Sequence, residues 1–410
     1  MQLVERHKIS PYHVFWQEID ELCFLSKNLY NYCNYQIRQS FIFDSIYLGY
    51  NQLYHLVKSS TDYKALPAKV SQQVLRLLDK NWQSFLAANR AYNANRSKFR
   101  AAPKLPKYKD KVKGRNILTY TIQAISKKML KLGLVKLSRT NICLPTSVKI
   151  KNIQQVRIVP KSGEYVLEIV YNQEEYHTVT NKENIAAIDI GVNNLCTLTS
   201  NKLGFIPVLI NGRPLKSLNQ YYNKTLAFLQ SNLPKNTQTS KGIKSLARTR
   251  NNRVENYLHR CSRWIINHLN EQGIGKLIIG HNQGWKQSVK LGKKVNQSFT
   301  TIPHSRLIEM LAYKAQLLGI QVEVTEESYT SRASFLSLDP IPTYGDDVKD
   351  LEFSGYRESR GMYKLKGSKT RINADVQASY NIMRKAVPGI FGRGIEGVVV
   401  RPVRITPSRN

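Results

Sequence analysis

Apolar residues recur along this chain with three different periods. Over Tyr12–Leu48 the residues Phe15, Ile19, Leu22, Leu25 and Leu29 return at helical spacing. Leu66-Pro67-Ala68 opens a second helical pattern carried by Val70, Val74, Leu77, Leu78, Phe85 and Leu86, with Pro67 suited to a first turn. Residues 12–95 therefore read as a small helical domain. From Asn116 to Tyr171 the period shortens. Runs such as ILTYTIQAI, VKIKNIQQVRIV and YVLEIVY are separated by turn signals and predict a small antiparallel sheet or barrel. Met1–Ile9 is a candidate edge strand for it, which would make the helical part an insertion.

The third pattern centres on Ile185–Leu198, IAAIDIGVNNLCTL. An apolar run carries the single carboxylate Asp189, turns at a glycine and two asparagines, and returns as a second apolar run. A charge in so apolar a setting is costly unless it is paired or binds a cation. Asp189 is either a turn cap or a metal-binding carboxylate on a nuclease sheet. Phe205–Gly212 supplies another strand and turn. Pro214–Thr249 reads as a long polar region, and Arg253–Glu271 as an amphipathic helix. Gly275–Gly280 is a short buried strand, Pro303–Leu318 a helix stopped by Gly319, and Ile320–Val324 a strand. Asp346–Lys369 is charged and irregular. Ile372–Lys385 passes from loop to helix, and the Gly-, Arg- and Pro-rich tail beyond Val387 is expected to be extended or disordered.

Charge changes the picture. There are 62 Lys and Arg against 28 Asp and Glu, a formal net charge of +34, spread along the chain. That excess points to a long polyanion rather than to solubility alone. The strip Lys98–Arg115, KFRAAPKLPKYKDKVKGR, is denied a helix by its prolines and lysines. Lys104, Lys107, Lys109, Lys111, Lys113 and Arg115, with Tyr108 among them, are candidate contacts to a phosphate backbone. Five dispersed cysteines with no CxxC make a zinc knuckle unlikely and fit a reducing compartment. No apolar run has signal-peptide or membrane-spanning character, so no membrane partner and a cytoplasmic setting are expected.

Three acids fall at element ends: Asp189 on a strand before a turn, Glu327 after a strand, and Asp375 at the start of a helix. Side by side they could not all ionise without cations. Oxygen ligands of this kind suit Mg²⁺ or Mn²⁺, two of which, roughly 4 Å apart, cleave phosphodiesters.

The segment IAAIDIGVNNLCTL resembles the first catalytic motif of RuvC-type nucleases, which share the ribonuclease H-like fold. INADVQASYNIMRK resembles the third motif of transposon-encoded TnpB proteins, an Asp followed by small residues and Asn-Ile. GHNQGWKQ and EESYTSRASF fall where that family carries its second motif and its Tyr-Thr-Ser segment. LPAKVSQQVLRLLDKNWQSF resembles its helical recognition segment, and PKLPKYKDKVKGRN its return into the wedge domain.

The resemblance implies a multidomain α/β protein of the TnpB family, related to the type V CRISPR effectors. Its expected layout is a β-barrel-like wedge domain over 1–10 and 98–180 with an inserted helical recognition domain over 11–97. A RuvC-like, ribonuclease H-like nuclease domain follows over 181–334 and 371–390, and a flexible tail over 391–410. It implies an RNA-guided DNA endonuclease with guide RNA and double-stranded target DNA as partners, monomeric on its RNA, in a prokaryotic cytoplasm. Gln73, Arg76, Trp285 and Lys286 join the strip as nucleic-acid-binding candidates.

Two departures stand out. The family's catalytic Glu after Leu277-Ile278-Ile279 is replaced by Gly280-His281-Asn282. Glu327, two residues before Tyr329-Thr330-Ser331, is the expected substitute, with Glu326 its rival because consecutive residues leaving a strand point opposite ways. The zinc-binding cysteines are also missing, so 335–370 is expected to be a metal-free remnant of a nucleic-acid-binding insertion acting through Arg357, Arg360, Lys364 and Lys366, with no zinc. The alternatives are a nuclease-inactive RNA-guided repressor and an RNA-independent transposase.

Overall fold

A computed structural model describes residues 1–161, 163–175, 181–282, 301–346, 351–392 and 394–408. The chain divides into two compact units, Met1–Gln173 and Glu174–Asn410.

The first unit runs β1 (Gln2–Ile9), α1 (Trp16–Phe43), α2 (Tyr50–Val57), α3 (Thr61–Lys64), α4 (Ala68–Ala94), β2 (Leu118–Thr121), α5 (Lys127–Lys131), β3 (Leu134–Lys136), β4 (Cys143–Pro145), β5 (Ile153–Lys161) and β6 (Glu164–Asn172). Its antiparallel sheet has the order β1-β6-β5-β2. The opening strand pairs with β6 from Gln2↔Asn172 to Ile9↔Tyr165, so the two ends of this unit meet in one ladder. The expected barrel is corrected to an open sheet. β2 spans only four residues and lies at an edge, and β3 and β4 pair with each other in a separate sheet. The expected break between helical and β domains at 97/98 does not divide the core. Ile19 and Cys23 of α1, Val74 and Trp82 of α4, and Tyr120 and Val156 of the sheet belong to one apolar cluster.

The second unit runs β7 (Asn181–Ile190), β8 (Asn194–Ser200), β9 (Val208–Asn211), α6 (Arg213–Ser231), α7 (Lys241–Glu271), β10 (Ile274–Gly280), α8 (His304–Leu317), β11 (Gln321–Thr325), β12 (Gly355–Ser359), β13 (Met362–Leu365), β14 (Arg371–Asn373), α9 (Ala374–Ala386) and β15 (Val403–Ile405). The central sheet has six strands in the order β11-β10-β7-β8-β9-β15. β7, β8 and β9 are antiparallel neighbours, while β10 and β11 run parallel to β7 on its other side. This is the mixed, helix-flanked sheet expected of a ribonuclease H-like domain.

Period-2 alternation sorts the sheet residues between two helical layers. Ala186, Ile188, Leu277 and Ile279 pack with α7 and α8. Ile185, Ala187 and Ile278 pack on the opposite face with α9. Asp189 continues the second series and so falls on the α9 face. The helix can approach closely because Ala378 and Ser379 are small. The Ser379 hydroxyl lies 3.0 and 3.1 Å from the carbonyls of Ala187 and Thr197, and 2.9 Å from Thr199 Oγ1.

One expectation is filled in here and two need correcting. The polar stretch over 214–249 is mostly helical, because Leu215 and Ile243 bury enough apolar surface to seat α6 and the first half of α7. Asp346–Lys369 contains β12 and β13, which form an antiparallel sheet with β14. The tail is not flexible throughout: β15 joins the edge of β9 through Val403↔Val208 and Ile405↔Ile210. An edge strand offers unpaired backbone groups, so main-chain bonding alone can capture a segment without an apolar pattern. Phe391 and Tyr380 also pack edge-on in the α9-side core. Among the described residues, no helix is long and apolar enough to cross a membrane.

Candidate active site

The acid Asp375 is set by a helix start. Asn373 caps α9, its side-chain oxygen accepting from the backbone N–H groups of Asp375 and Val376 at 3.1 Å each. A carboxylate in the first turn is also favoured by the helix dipole. Asn194, at the start of β8, donates to Asp375 Oδ2 at 2.7 Å. Arg404 of the tail donates in turn to Asn194 Oδ1 at 3.4 Å, and Arg357 of β12 to Asp375 Oδ1 at 3.3 Å.

Asp189, Glu327 and Asp375 are brought into one electrostatic neighbourhood. Burial first, then the charges of Glu327 and Asp375, push the Asp189 carboxyl well above its ordinary range, against the opposing charge of Arg357. Glu327 is pushed up to about 7, by burial and then by Glu326, with Lys385 opposing. Its Oε2 atom is buried without a hydrogen-bond partner among the described residues.

The two neighbouring glutamates differ sharply. Glu326 pairs with Lys385 and accepts from the Ser328 N–H at 2.6 Å. Burial opposes its ionisation, but Lys385 and Ser328 outweigh that and hold its carboxyl below the usual value. Glu327 instead lies against Gly280 at the end of β10. The loop carrying both is fastened from α9: Asn381 donates to the carbonyls of Thr330 and Ala333 at 2.9 and 2.7 Å, and Lys385 to that of Ser328 at 3.0 Å.

The donors are right in kind for a hard divalent cation, with three carboxylates and one buried orphan oxygen. In their present arrangement they do not close on a point: among the described residues, no group of three or more His, Cys, Asp or Glu could hold a metal ion. Asn194, Asn282, Asn381 and Lys385 were missed as site residues by sequence reasoning. The Asn-Asn turn after Asp189 was a visible signal for Asn194. Lys385 reads in the sequence only as a cation at a helix end.

In the first unit the basic strip is a strap along α1. Asn31, Asn34 and Arg38 donate to the carbonyls of Lys109, Pro106 and Pro106 at 2.9, 3.0 and 2.8 Å, and the buried Lys27 to that of Lys111 at 2.7 Å. Its backbone is thus turned inward, while Lys104, Lys107, Lys109, Lys111 and Lys113 are exposed. Tyr108 lies under the Arg38 guanidinium, 4.7 Å from its ring centre. The strap and α4 line an open groove of about 620 Å³ that includes Tyr30, Phe85, Lys104 and Lys107.

Arg115 differs from the lysines of the strap in being engaged within the fold. It forks onto Asp20 at 2.9 and 2.6 Å. Arg76 is exposed over the Tyr50 ring and Gln73 is half-buried on α4. Trp285 and Lys286 lie outside the described residues. Of the insertion's cations, Arg357 reaches the acids, whereas Lys364 pairs with Glu358 at 3.7 Å and Lys366 with Glu352 at 3.6 Å.

The fold and site together define an α/β unit in which three carboxylates share one electrostatic neighbourhood between a mixed sheet and a helix. Two family models match the chain in order: OrfB_IS605, described as a probable transposase, over residues 168–286, and the Cas12f1-like TNB domain over residues 304–382. No curated protein matches. The mini-RNA-guided endonuclease CRISPR-Cas_phi3 has a similar fold, with a TM-score of 0.50 at 9% identity over 98% of this chain and 94% of that one. A Cas12f1–sgRNA–target DNA complex aligns at 14% identity and a TM-score of 0.38, covering 94% of this chain and 100% of that one. C2c1 of Alicyclobacillus acidoterrestris, in complex with single-guide RNA, aligns at 9% identity and a TM-score of 0.43 over 90% and 70%. These matches support a TnpB-like family relationship for the chain.

Proposed function

We propose that the protein is a cytoplasmic RNA-guided DNA endonuclease whose cutting centre is Asp189, Glu327 and Asp375. The observation that carries this reading is the crowding of the three acids. Asp189 is raised by burial and by two further carboxylates, an arrangement that costs stability unless a cation serves it. Mg²⁺ or Mn²⁺ held by these residues would activate a water and stabilise the leaving 3′-oxygen. Asp375 is held by Asn194 and the α9 N-terminus, and Glu327 offers its unpartnered oxygen. The exposed lysines of the strap would track a nucleic-acid backbone. A paired guide would carry most of the sequence choice, with the protein reading a short motif beside the target. The matches to the probable-transposase and Cas12f1-like models, with the fold likeness to an RNA-guided endonuclease, support the same partners.

The test is direct. The full chain is co-expressed with the DNA flanking its gene, the co-purified RNA is sequenced, and a matched plasmid library is challenged with Mg²⁺. Double-strand cleavage that disappears in Asp189→Ala is the expected result. No cleavage by wild type, or undiminished cleavage by Asp189→Ala, overturns the reading.

One observation favours a second reading, an RNA-guided DNA-binding protein that does not cut. The donors do not close into a metal-holding group among the described residues, and Arg357 already pairs with Asp375. Guide-dependent binding of target DNA, without cleavage at any Mg²⁺ or Mn²⁺ concentration, would select it.

A further inference from the structure

We infer that Gly280 and Asn282 are positioning residues, which together form the seat that lets an acid from the loop after β11 serve beside Asp189. The inference rests on the nuclease reading above and concerns how its third carboxylate is held.

The argument begins with register. β7 and β10 run parallel with Ile279 opposite Ile188, so the next residues along are Gly280 and Asp189. Paired residues on neighbouring strands share a face. A side chain at position 280 would therefore stand beside Asp189, on the α9 face. Gly280 has no left-handed φ, so its backbone is open to any residue type. What the position refuses is bulk. A Cβ built there would lie 2.8 Å from Glu327 Oε2 and 2.5 Å from Ile382 Cδ1. The space that a strand-borne side chain would take is filled from two sides, by the Glu327 carboxylate and by a methyl of α9.

Two further contacts fix the loop. Asn282 Oδ1 accepts from the Glu327 N–H at 3.0 Å, tying the loop to the residues just past β10. On the other side Lys385 takes Glu326, and donates to the carbonyls of Ser328 and Pro342 at 3.0 and 2.9 Å. With Glu326 held by the helix and the Glu327 N–H held by Asn282, the Glu327 side chain is left to enter over Gly280. Loss of the side chain at 280 and supply of an acid at 327 are thus two halves of one arrangement. The acid should be transferable between the two positions.

The first measurement needs no metal. In an Ile382→Val background, which removes the nearer methyl, full-length variants are melted in EDTA. Gly280→Ala should lower the melting temperature by about 3–6 °C from overpacking. Adding Glu327→Ser should return most of that loss. Additive effects of the two substitutions would overturn the seat.

The second measurement is Mn²⁺ binding to the RNA-loaded full chain, followed by the spin signal of the free ion, with Asp189→Asn as the blank for ions held by RNA. Glu327→Ser, Gly280→Ala and Asn282→Ala should each weaken the Asp189-dependent site at least about tenfold. The combined variant Gly280→Glu, Glu327→Ser, Ile382→Val should come within about threefold of wild type. A combined variant no better than Glu327→Ser alone would overturn the transfer. If wild type shows neither an Asp189-dependent Mn²⁺ site nor cleavage, the nuclease reading falls, and the coupled melting still decides whether Glu327 is seated on Gly280.

Discussion

Each unit contains a half-buried aspartate gathered with polar partners, and the two are in opposite condition. Around Asp20 of the first unit, the Arg115 guanidinium and the Tyr165 hydroxyl converge on one carboxylate. Burial opposes its ionisation, but those two partners outweigh burial and hold the carboxyl below its ordinary value. Around Asp189 of the second unit the neighbours are other acids, and the carboxyl is driven up. The first acid is satisfied by its own chain. The second is crowded by like charge, and groups perturbed in that way gather at functional sites. The apolar run around Asp189 marks that acid in the sequence, but it is the sign of the surroundings in the fold that separates a structural carboxylate from a candidate functional one.

The comparison breaks most easily at Glu327. Glu327→Gln keeps the shape and removes the charge, and is expected to lower cleavage at least about a hundredfold, while guide and target binding measured by gel shift stay within about twofold of wild type. If the fall appears equally at Glu326→Gln, the distinction between the neighbours is wrong. Arg115→Ala should leave Asp20 charged and poorly paired. It is expected to destabilise the first unit by about 2 kcal/mol, read by urea denaturation, with little change in the second unit's melting. Lys385→Met should be milder. It frees Glu326 to repel Glu327, and should raise the Mn²⁺ needed for half-maximal cleavage about tenfold without affecting RNA binding.

The pH dependence of the two sites sharpens the same contrast. Asp20 has a folded-state value below its unfolded one, so its contribution to stability is present above the unfolded value. It is lost as pH falls through the folded one. Melting of wild type should therefore drop more steeply below about pH 4 than melting of Asp20→Asn. Parallel acid limbs in the two proteins would mean that Asp20 is not held by its partners.

The strand alternation around Asp189 made its face legible from the sequence, and the Asn-Ala-Asp start of α9 made Asp375 legible as a helix-start acid. Both depend on local periodicity. Glu327 was legible only as one of two candidates, because the choice rests on Lys385, which lies about sixty residues further along, and on the missing side chain of Gly280. The polar segment NLYNYCNYQIR could be read as packing or stacking. It does pack, with Leu29, Tyr30, Cys33 and Ile37 in the core, and its Asn31, Asn34 and Arg38 serve as donors for strap carbonyls, a pairing with no signature of its own in either segment. The β15 strand was hidden for a similar reason: main-chain pairing to β9 leaves no mark in a tail of Gly, Arg and Pro.

The smallest expected effect separates the cations of the strap. Lys104, Lys107 and Lys111 are exposed while the carbonyls along the strap are turned to α1, so their ammonium groups can meet phosphates without disturbing the fold. Arg115, in the same strip, is committed to Asp20. Changing any one of the three lysines to Gln should therefore leave the melting temperature alone. It should lower the slope of log affinity against log salt by about 0.7–0.9 for RNA or DNA. Arg115→Gln should do the reverse, moving stability and leaving the salt slope nearly unchanged. A uniform response across all four would mean that the strip acts as a diffuse charge cloud, and that its division into contact and anchor is mistaken.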